Sequence, residues 1–563
     1  MTNLQIAELL RNVAASYQLQ DPNKYRFQVI AYNRAADSVE HATSELKDLW
    51  DDNKLSDVPS IGTSIAEHLD EIFKTGKSTH FDKLMKDIPK EAFTLMALPK
   101  IGLKTALKMI DELPKSEIKK LLDKAQKLTD KDRRLLLPYA ENIASEVVEW
   151  LSKCSEVEKI DVLGSLRRKA ATVGDIDIAV ATNKPLEVIK KFISYPKIQK
   201  IIEQGEHTAS ILLPSNVQVD LLVMEPEKYG SALQHFTGSK FHNIALREHA
   251  LKLGYSLSEY GLRKIRNKKE EIKNFRTEQE LYNFLKLDYI EPELREDTGE
   301  IEAAINKTLP NLIKLEDIKA DLQIHSDFDI ETSHDLGIDS MKKLTEKGRE
   351  LGYEYIAFTE HNPSKSKHTE KQIEDLLKRK REKVDQLNYS REKRIPFVFN
   401  SLEIDINKDG SLPISVKGLE TLDFALVSIH SVFDLSRLDM TKRIINALSY
   451  PKVKIFAHPT ARKINEREGV EIDWPKIFDV CLKQCIFLEI NADPMRLDLP
   501  DILVREAVKC GVKLTLGTDT HEIMMMDNMK YGVNVARRGW CEKKDMINCL
   551  SLEDLKKELK EGD

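Results

Sequence analysis

Through roughly the first 135 residues apolar side chains recur at every third and fourth position, and runs of alternating or consecutive β-formers are lacking. That period predicts an all-helical region. Two short segments inside it match one another: Val58-Pro-Ser-Ile-Gly-Thr-Ser-Ile-Ala66 and Leu98-Pro-Lys-Ile-Gly-Leu-Lys-Thr-Ala106. Each is expected to end a helix, turn through Pro and Gly, and start another. Gly62 and Gly102 are expected to permit the tight turn. The free N–H groups at the start of the next helix then favour an anion. A single copy also fits an ordinary helical connection; two copies of L/V-P-x-I-G-x-x-x-A point to a binding device.

From about 155 to 225 the pattern changes to strands and helices, with KIDVLG, TVGDIDIAV (172–180) and VQVDLLV (217–223) as strand candidates. Along the second, Ile176, Ile178 and Val180 share one face. Asp175 and Asp177 share the other, roughly 7 Å apart if the strand is continuous. Two acids so close repel, more so when buried. A hard cation such as Mg²⁺ removes the conflict. G-D-x-D by itself is equally what a solvated strand edge carries. Asp220 stands opposite in facing to Val219 and Leu221 on a third strand. Gly164-Ser-Leu-Arg-Arg168 follows the first strand and is expected to open a helix. There Ser165 and backbone amides would cradle phosphate, with Arg167 or Arg168 adding charge. Three carboxylates beside a Gly-Ser turn fit a two-metal nucleotidyl-transfer site.

Residues 226–315 mix helices with polar turns, including a basic stretch at 263–269 read as a solvated loop. A boundary is expected near 315. Beyond it strand and helix patterns alternate to the end, which predicts a barrel or doubly wound α/β domain. Polar residues of metal-ligand type follow successive apolar runs there: ADLQIHS, YIAFTEHN, VFNSLEIDI, FALVSIHS, KIFAHPT and KLTLGTDTH. Strand C-terminal ends are where such barrels build active sites. One histidine in such a place is ordinary. Five of them (His325, His361, His430, His458 and His521), with Glu403 and Asp519, suit Zn²⁺, Mn²⁺ or Fe²⁺.

The bulk numbers limit the classes. A chain of 563 residues, 41% hydrophobic and 32% charged, is long enough for several globular domains. It carries no apolar run that would span a bilayer and no N-terminal apolar signal segment. The six cysteines are scattered without a C-x-x-C pair, which fits a reducing cytosol. The net charge of −6 excludes a globally basic footprint for nucleic acid. Any DNA contact must use local patches and backbone amides.

Taken together, G-S-x-R-R, G-D-x-D and V-D-L, followed by His235-Phe-Thr-Gly-Ser-Lys-Phe-His-Asn-Ile-Ala-Leu-Arg247 and Leu257-Ser-Glu-Tyr-Gly-Leu262, closely resemble the family X DNA polymerases over roughly residues 1–315. The two helical turns resemble that family's helix–hairpin–helix motifs, which hold DNA phosphates without reading sequence. The resemblance implies Asp175, Asp177 and Asp220 as metal ligands and Gly164, Ser165 and Arg168 at the triphosphate. It implies Phe236 and Gly238 against the sugar, and Asn243 and Arg247 facing the nascent pair and template. Two positions depart from the family. His235 stands where many members have Tyr, so the hydroxyl that helps reject ribonucleotides is missing. His68 stands where eukaryotic relatives place the Schiff-base lysine of a 5′-deoxyribose-phosphate lyase, so no strong activity of that type is expected.

The C-terminal part resembles the PHP (polymerase and histidinol phosphatase) family of phosphoesterases, a distorted seven-stranded barrel that bacterial family X polymerases often carry. Glu489-Ile-Asn-Ala-Asp-Pro-Met-Arg-Leu-Asp-Leu499 and Tyr531-Gly-Val-Asn-Val-Ala-Arg-Arg-Gly-Trp540 also resemble that combined protein. The implied trinuclear set is Gln323, His325, His361, Glu403, His430, His458, Asp519 and His521. Gln323 replaces the first His of the family's H-x-H, and its neutral amide is a weaker ligand. A further Asp is expected in the stretch after Ser326, with Asp335 chosen over Asp329. Glu360 stands where the family more often has Asp.

The expected layout is a multidomain chain. Residues 1–80 form a helical DNA-binding domain, 81–150 a second helix–hairpin–helix region and 151–230 an α+β nucleotidyltransferase palm. Residues 231–315 form a thumb-like nucleotide-selection subdomain, and 316–563 a distorted (β/α)7 PHP barrel. The expected activity is gap-filling DNA synthesis in repair with Mg²⁺ or Mn²⁺, plus metal-dependent 3′-5′ trimming at the barrel. Expected partners are gapped or primer-template DNA and deoxynucleoside triphosphates, bound by a cytoplasmic monomer. The alternatives are a phosphoesterase whose polymerase half only docks DNA, and a non-enzymatic DNA-end scaffold.

Overall fold

A computed structural model describes residues 1, 3–22, 24–40, 46–51, 54–55, 58, 60–96, 98, 101–129, 134–265, 272–389 and 396–560. Its chain divides into two compact units, Met1–Arg168 with Thr172–Lys286, and Lys169–Ala171 with Leu287–Asp563. Among the described residues no helix is long and apolar enough to cross a membrane.

In the first unit the described residues before 130 are helical, as the period predicts. The helices Thr63–Thr75 and Leu103–Glu112 start at Gly62 and Gly102. Ile61 N donates to Val58 O at 3.2 Å and Ile101 N to Leu98 O at 3.2 Å, so the two turns close with equivalent hydrogen bonds. The expected reason for the glycines is corrected. Both have ordinary extended backbone, at φ −75° and −88°. The positive φ of the first turn falls on Ser60. A Cβ at either glycine would meet nothing within 4 Å. What glycine provides is open space in front of the first N–H groups of each helix, where a phosphate would approach. Pro59 and Pro99 lie outside the described residues.

The palm is a five-stranded sheet in the order Lys159–Val162, Ile176–Ala181, Val217–Met224, Thr208–Leu213, Lys200–Gln204. Only its second and third strands pair in parallel. The single strand expected over 172–180 is in fact broken. Thr172–Val173 pairs with Leu135–Leu136, the chain bends at Gly174 and Asp175, and a new strand starts at Ile176. Arg134 holds that bend by donating to Thr172 Oγ1 and O at 2.9 and 3.0 Å. Ile176, Ile178 and Val180 are fully buried on one face. On the other, Ala179 and Ala181 pack with Tyr229, Ala232 and Leu233 of helix Tyr229–Thr237. Asp177 and Asp220 are half-buried and Asp175 is exposed. Beyond the palm, Tyr255–Ser258, Gly261–Lys264 and Ile272–Lys273 form a small antiparallel sheet that the sequence pattern did not suggest. Most of the basic stretch at 263–269 lies outside the described residues.

The boundary expected near 315 falls instead between Lys286 and Leu287. Residues 287–315 pack with the C-terminal unit through Glu293 to Arg537 Nε at 2.8 Å, Glu296 to Arg538 Nη1 at 3.0 Å, and Ile313 N to Cys541 O at 3.0 Å. These partners lie more than 220 residues away, beyond the reach of local pattern.

The second unit is a parallel barrel of seven strand positions: Ala320–Ile324, Tyr355–Phe358, Phe397–Asn400 continued after a bend by Glu403–Asp405, Ala425–Ser428, Val453–Phe456, Phe487–Asn491 and Leu514–Gly517. Ile324 bridges Thr520 in parallel, and His325 N donates to Thr520 O at 2.8 Å, closing the ring. Ala320, Leu322, Tyr355, Phe399, Leu426, Ile455 and Phe487 fill the lumen as one apolar cluster with Ile547 and Leu555. An apolar plug of this kind leaves polar chemistry only at the strand ends.

Candidate functional site

In the palm, parallel register sets Asp177 directly beside Asp220. Asp175 joins them from the bend, and the three offer carboxylate oxygens within 4.8 Å of one another. Burial, with Asp175 and Asp220 close by, pushes the Asp177 carboxyl up to about 7. Gly164 is pressed against this trio at φ +56°, and a Cβ there would lie 2.9 Å from Asp177 Oδ2. Leu163 N ties the turn to Asp177 O at 2.8 Å. The turn therefore demands glycine twice, for its backbone and for its clearance. Ser165 is half-buried in the same turn. Gln218 was not anticipated: its Nε2 donates to both Asp220 oxygens at 2.9 Å. Strand alternation puts it on the Asp220 side, which is the signal that would have found it.

Arg167 and Arg168 have different partners. Arg167 is bound to Glu278 through two nitrogens, at 2.9 and 2.7 Å, and to Thr237 Oγ1 at 2.6 Å. Arg168 reaches the Thr237–Gly238 turn instead, donating to Thr237 O at 2.5 Å. Gly238 has φ +70°, and a Cβ there would meet Arg168 Nη1 at 3.1 Å. Phe236 beside it is 39% exposed. Asn243 is held at both ends of its amide, by Gln234 at 2.8 Å and His235 O at 2.7 Å, and Arg247 Nε donates to Asn243 O at 3.1 Å. His235 lies edge-on to Phe236 with ring centres 5.0 Å apart. Its burial, with help from Arg247, lowers its pKa. In the helical region His68 stacks on His80 at 4.5 Å, and burial followed by His80 lowers its pKa too.

At the barrel mouth one carboxylate sits among four imidazoles. Glu403 lies 2.8 Å from His458 Nε2, 3.2 Å from His325 Nε2, 3.3 Å from His430 Nε2 and 3.5 Å from His361 Nδ1. Burial alone would raise the Glu403 pKa; His361, His430 and His458 overcome it and hold it well below the usual range. His325 is also 3.2 Å from Asp519, and its ring stacks between His361 at 4.5 Å and His521 at 4.3 Å. Among the described residues, both nitrogens of His325, His361 Nδ1, His458 Nδ1 and Glu403 Oε2 are buried without a hydrogen bond. Buried polar atoms are normally satisfied. Groups of these side chains, His325–His361–His521, His361–Glu403–His430 and His325–Glu403–Asp519, each offer atoms within 4.8 Å of one another, a donor set that fits transition-metal cations.

The remaining expected ligands divide. Gln323 Oε1 accepts from Asn491 Nδ2 at 3.2 Å, and the same amide reaches Glu489 at 3.3 Å and Asp519 at 3.2 Å. Gln323 thus joins a polar cluster on one side of Asp519. Asp329 Oδ1 accepts from Glu331 N at 2.6 Å, and Asp335 is close enough to His521 to act on it electrostatically. Glu360 turns away to Lys380 at 2.6 Å and Ser326 Oγ at 2.5 Å. His334 and Asp405 were missed: His334 Nε2 is 3.0 Å and His430 Nδ1 2.7 Å from Asp405 Oδ1. Asp405 follows Glu403 by two strand positions and His334 adjoins Asp335, but a turn and a two-residue offset are weak signals.

The chain is 34% identical over the full length of both proteins to the DNA polymerase/3′-5′ exonuclease PolX of Bacillus subtilis. It belongs to that family. Residues 1–78 match a helix–hairpin–helix domain model and residues 232–296 the DNA polymerase beta thumb. Half of the chain, 52%, is 25% identical to 56% of rat DNA polymerase lambda. Over 32% of its length the chain is 26% identical to 72% of a probable phosphatase of Thermoanaerobacter. A chain of this family with a helix–hairpin–helix start and a polymerase thumb agrees with the fold class expected from the sequence.

Proposed function

We propose that this chain is a DNA-directed DNA polymerase that fills short gaps during repair and a 3′-5′ exonuclease acting at its barrel. The observation that carries the reading is the presence of two separate ligand clusters, the Asp175–Asp177–Asp220 trio and the imidazoles around Glu403. Asp175, Asp177 and Asp220 would hold Mg²⁺ or Mn²⁺. His325, His361, Glu403, His430, His458, Asp519 and His521, with Asp335 and the weaker Gln323, would hold Mn²⁺, Zn²⁺ or Fe²⁺. Such cations, when bound, supply charge that activates a nucleophile and stabilises phosphoryl oxygens.

The chain's own groups do the rest. The Gly164–Ser165 turn and Arg168 bind the triphosphate of an incoming deoxynucleotide, and Phe236 and Gly238 pack against its sugar. Asn243 and Arg247 face the nascent pair and template. Asn243 is fixed by Gln234 and His235 before DNA arrives, so little ordering is lost on binding. Helix starts at Gly62 and Gly102 take duplex phosphates. At the barrel Asp405 holds His430 by its second nitrogen, the arrangement that fixes a ligand histidine's tautomer. The reading includes a cytoplasmic monomer, in line with six unpaired cysteines.

Gapped duplex DNA tests it. With Mn²⁺ and deoxynucleotides the wild-type chain is expected to extend the primer, and without nucleotides to shorten it from the 3′ end. A chelator should stop both; a chain that neither extends nor shortens refutes the proposal.

A pH dependence follows from Asp177. Its carboxyl titrates near 7 when folded, against about 3.9 in an unfolded chain. Between those values the folded chain holds a proton that the unfolded chain has lost. Folding stability from this group therefore falls as pH rises through 7, and a cation must displace the proton to bind. Apparent Mg²⁺ affinity at the palm is expected to rise by up to about tenfold from pH 6 to 8, about fivefold of it by pH 7, and to level off above, measured by calorimetric titration. An affinity flat from pH 6 to 8 would contradict this.

A further inference from the structure

Phe433 and Arg467 have no place in the chemistry above, yet they meet at the barrel mouth. The Arg467 guanidinium lies over the Phe433 ring, 3.9 Å from its centre. Phe433 comes three residues after His430, on the loop that follows strand Ala425–Ser428. Arg467 is fastened to the loop that follows strand Val453–Phe456: its Nε and Nη2 donate to Ala461 O at 3.0 and 2.7 Å, and Ala461 N donates to His458 O at 2.8 Å. The stack therefore bridges the two neighbouring loops that supply His430 and His458 to Glu403. Phe433 is half-exposed.

The backbone under Phe433 is held at a cost. Val432 is β-branched and adopts φ +56°, a region such residues rarely enter. Arg443, 2% exposed, over-determines it by donating to Ser431 O and Val432 O at 3.0 Å and to Asn407 O at 2.9 Å. His430 does not need this support, because Glu403 and Asp405 already fix both of its nitrogens. What the strained turn determines is the direction of Phe433. Local strain maintained by buried partners is a feature of sites that bind.

We infer that the Phe433–Arg467 stack is a platform for the terminal nucleobase of a DNA 3′ end whose scissile phosphate lies at the Glu403 cluster. An aromatic face backed by a guanidinium stacks any of the four bases, and the cation suits the adjoining phosphate. A base can reach such a platform only when it has left the duplex. The inference rests on the exonuclease reading and adds a base-binding pair, Phe433 and Arg467, to that site.

The test compares two oligodeoxynucleotides, one ending in an ordinary 3′ nucleotide and one ending in a tetrahydrofuran abasic residue, with full-length protein and Mn²⁺. Phe433→Ala is expected to raise KM for the ordinary end about tenfold or more at unchanged kcat. It should leave the abasic end unaffected, and Phe433→Trp should behave as wild type. Equal losses on both oligonucleotides, or no change on either, would overturn the platform. Failure of the wild-type chain to degrade either one would instead remove the exonuclease reading, and the platform with it.

Discussion

Replacing Asp220 by Asn is expected to lower primer extension by at least about a thousandfold, on the order of 4 kcal/mol of transition-state stabilisation, while 3′ degradation continues at the wild-type rate. The reasoning is geometric. Asp220 stands in parallel register with Asp177, and the two share a site with Asp175. An amide keeps the side chain's shape but removes one of the charges that gather a cation. It also removes one of the causes that raise the Asp177 carboxyl, so Asp177 should ionise more readily in the variant. Raising the pH therefore will not rescue it, since what is lost is a ligand rather than a proton. Single-turnover extension on gapped duplex at pH 7 and pH 9 measures both points. Normal extension by the variant would remove the palm assignment.

Glu403→Gln should do the converse, abolishing 3′ degradation by about a thousandfold or more and leaving extension intact. Four histidines lie within 3.5 Å of this carboxylate. A neutral amide cannot serve as their common counter-charge. The second readout is the metal itself: Mn or Zn content by elemental analysis is expected to fall below that of wild type. His361→Ala, which empties one edge of the cluster, should give a smaller loss of metal. Circular dichroism separates these effects from unfolding. A Glu403→Gln chain that retains metal and degrades DNA normally would show that the cluster is a structural polar core.

Much of this chemistry is readable along the chain. Asp175, Asp177 and Asp220 stand out because acids interrupt strands of β-formers. His325, His361, His430, His458 and His521 stand out because each follows an apolar run. What local pattern hides is the partner of each group. Arg167 and Arg168 are adjacent and chemically alike, yet Glu278, more than a hundred residues away, binds one through two nitrogens and the other reaches the Gly238 turn. Asp335 is preferred to Asp329 in sequence, and nothing local shows that Asp329 Oδ1 accepts from Glu331 N. His334, Asp405 and Gln218 were passed over because each acts through a neighbour.

The order of apolar and polar residues by itself determined the helical start, the palm strands, the succession of barrel strands and the residue types at their ends. Those follow from burial, which acts on every residue according to its own side chain and the period of the element that carries it. Only the tertiary structure decided the break at Gly174, the boundary at Leu287, the ring closure through Ile324 and Thr520, and which carboxylate stands at the centre of the imidazoles. Each of these depends on contacts between residues far apart in the chain, whose distance and direction no local period encodes.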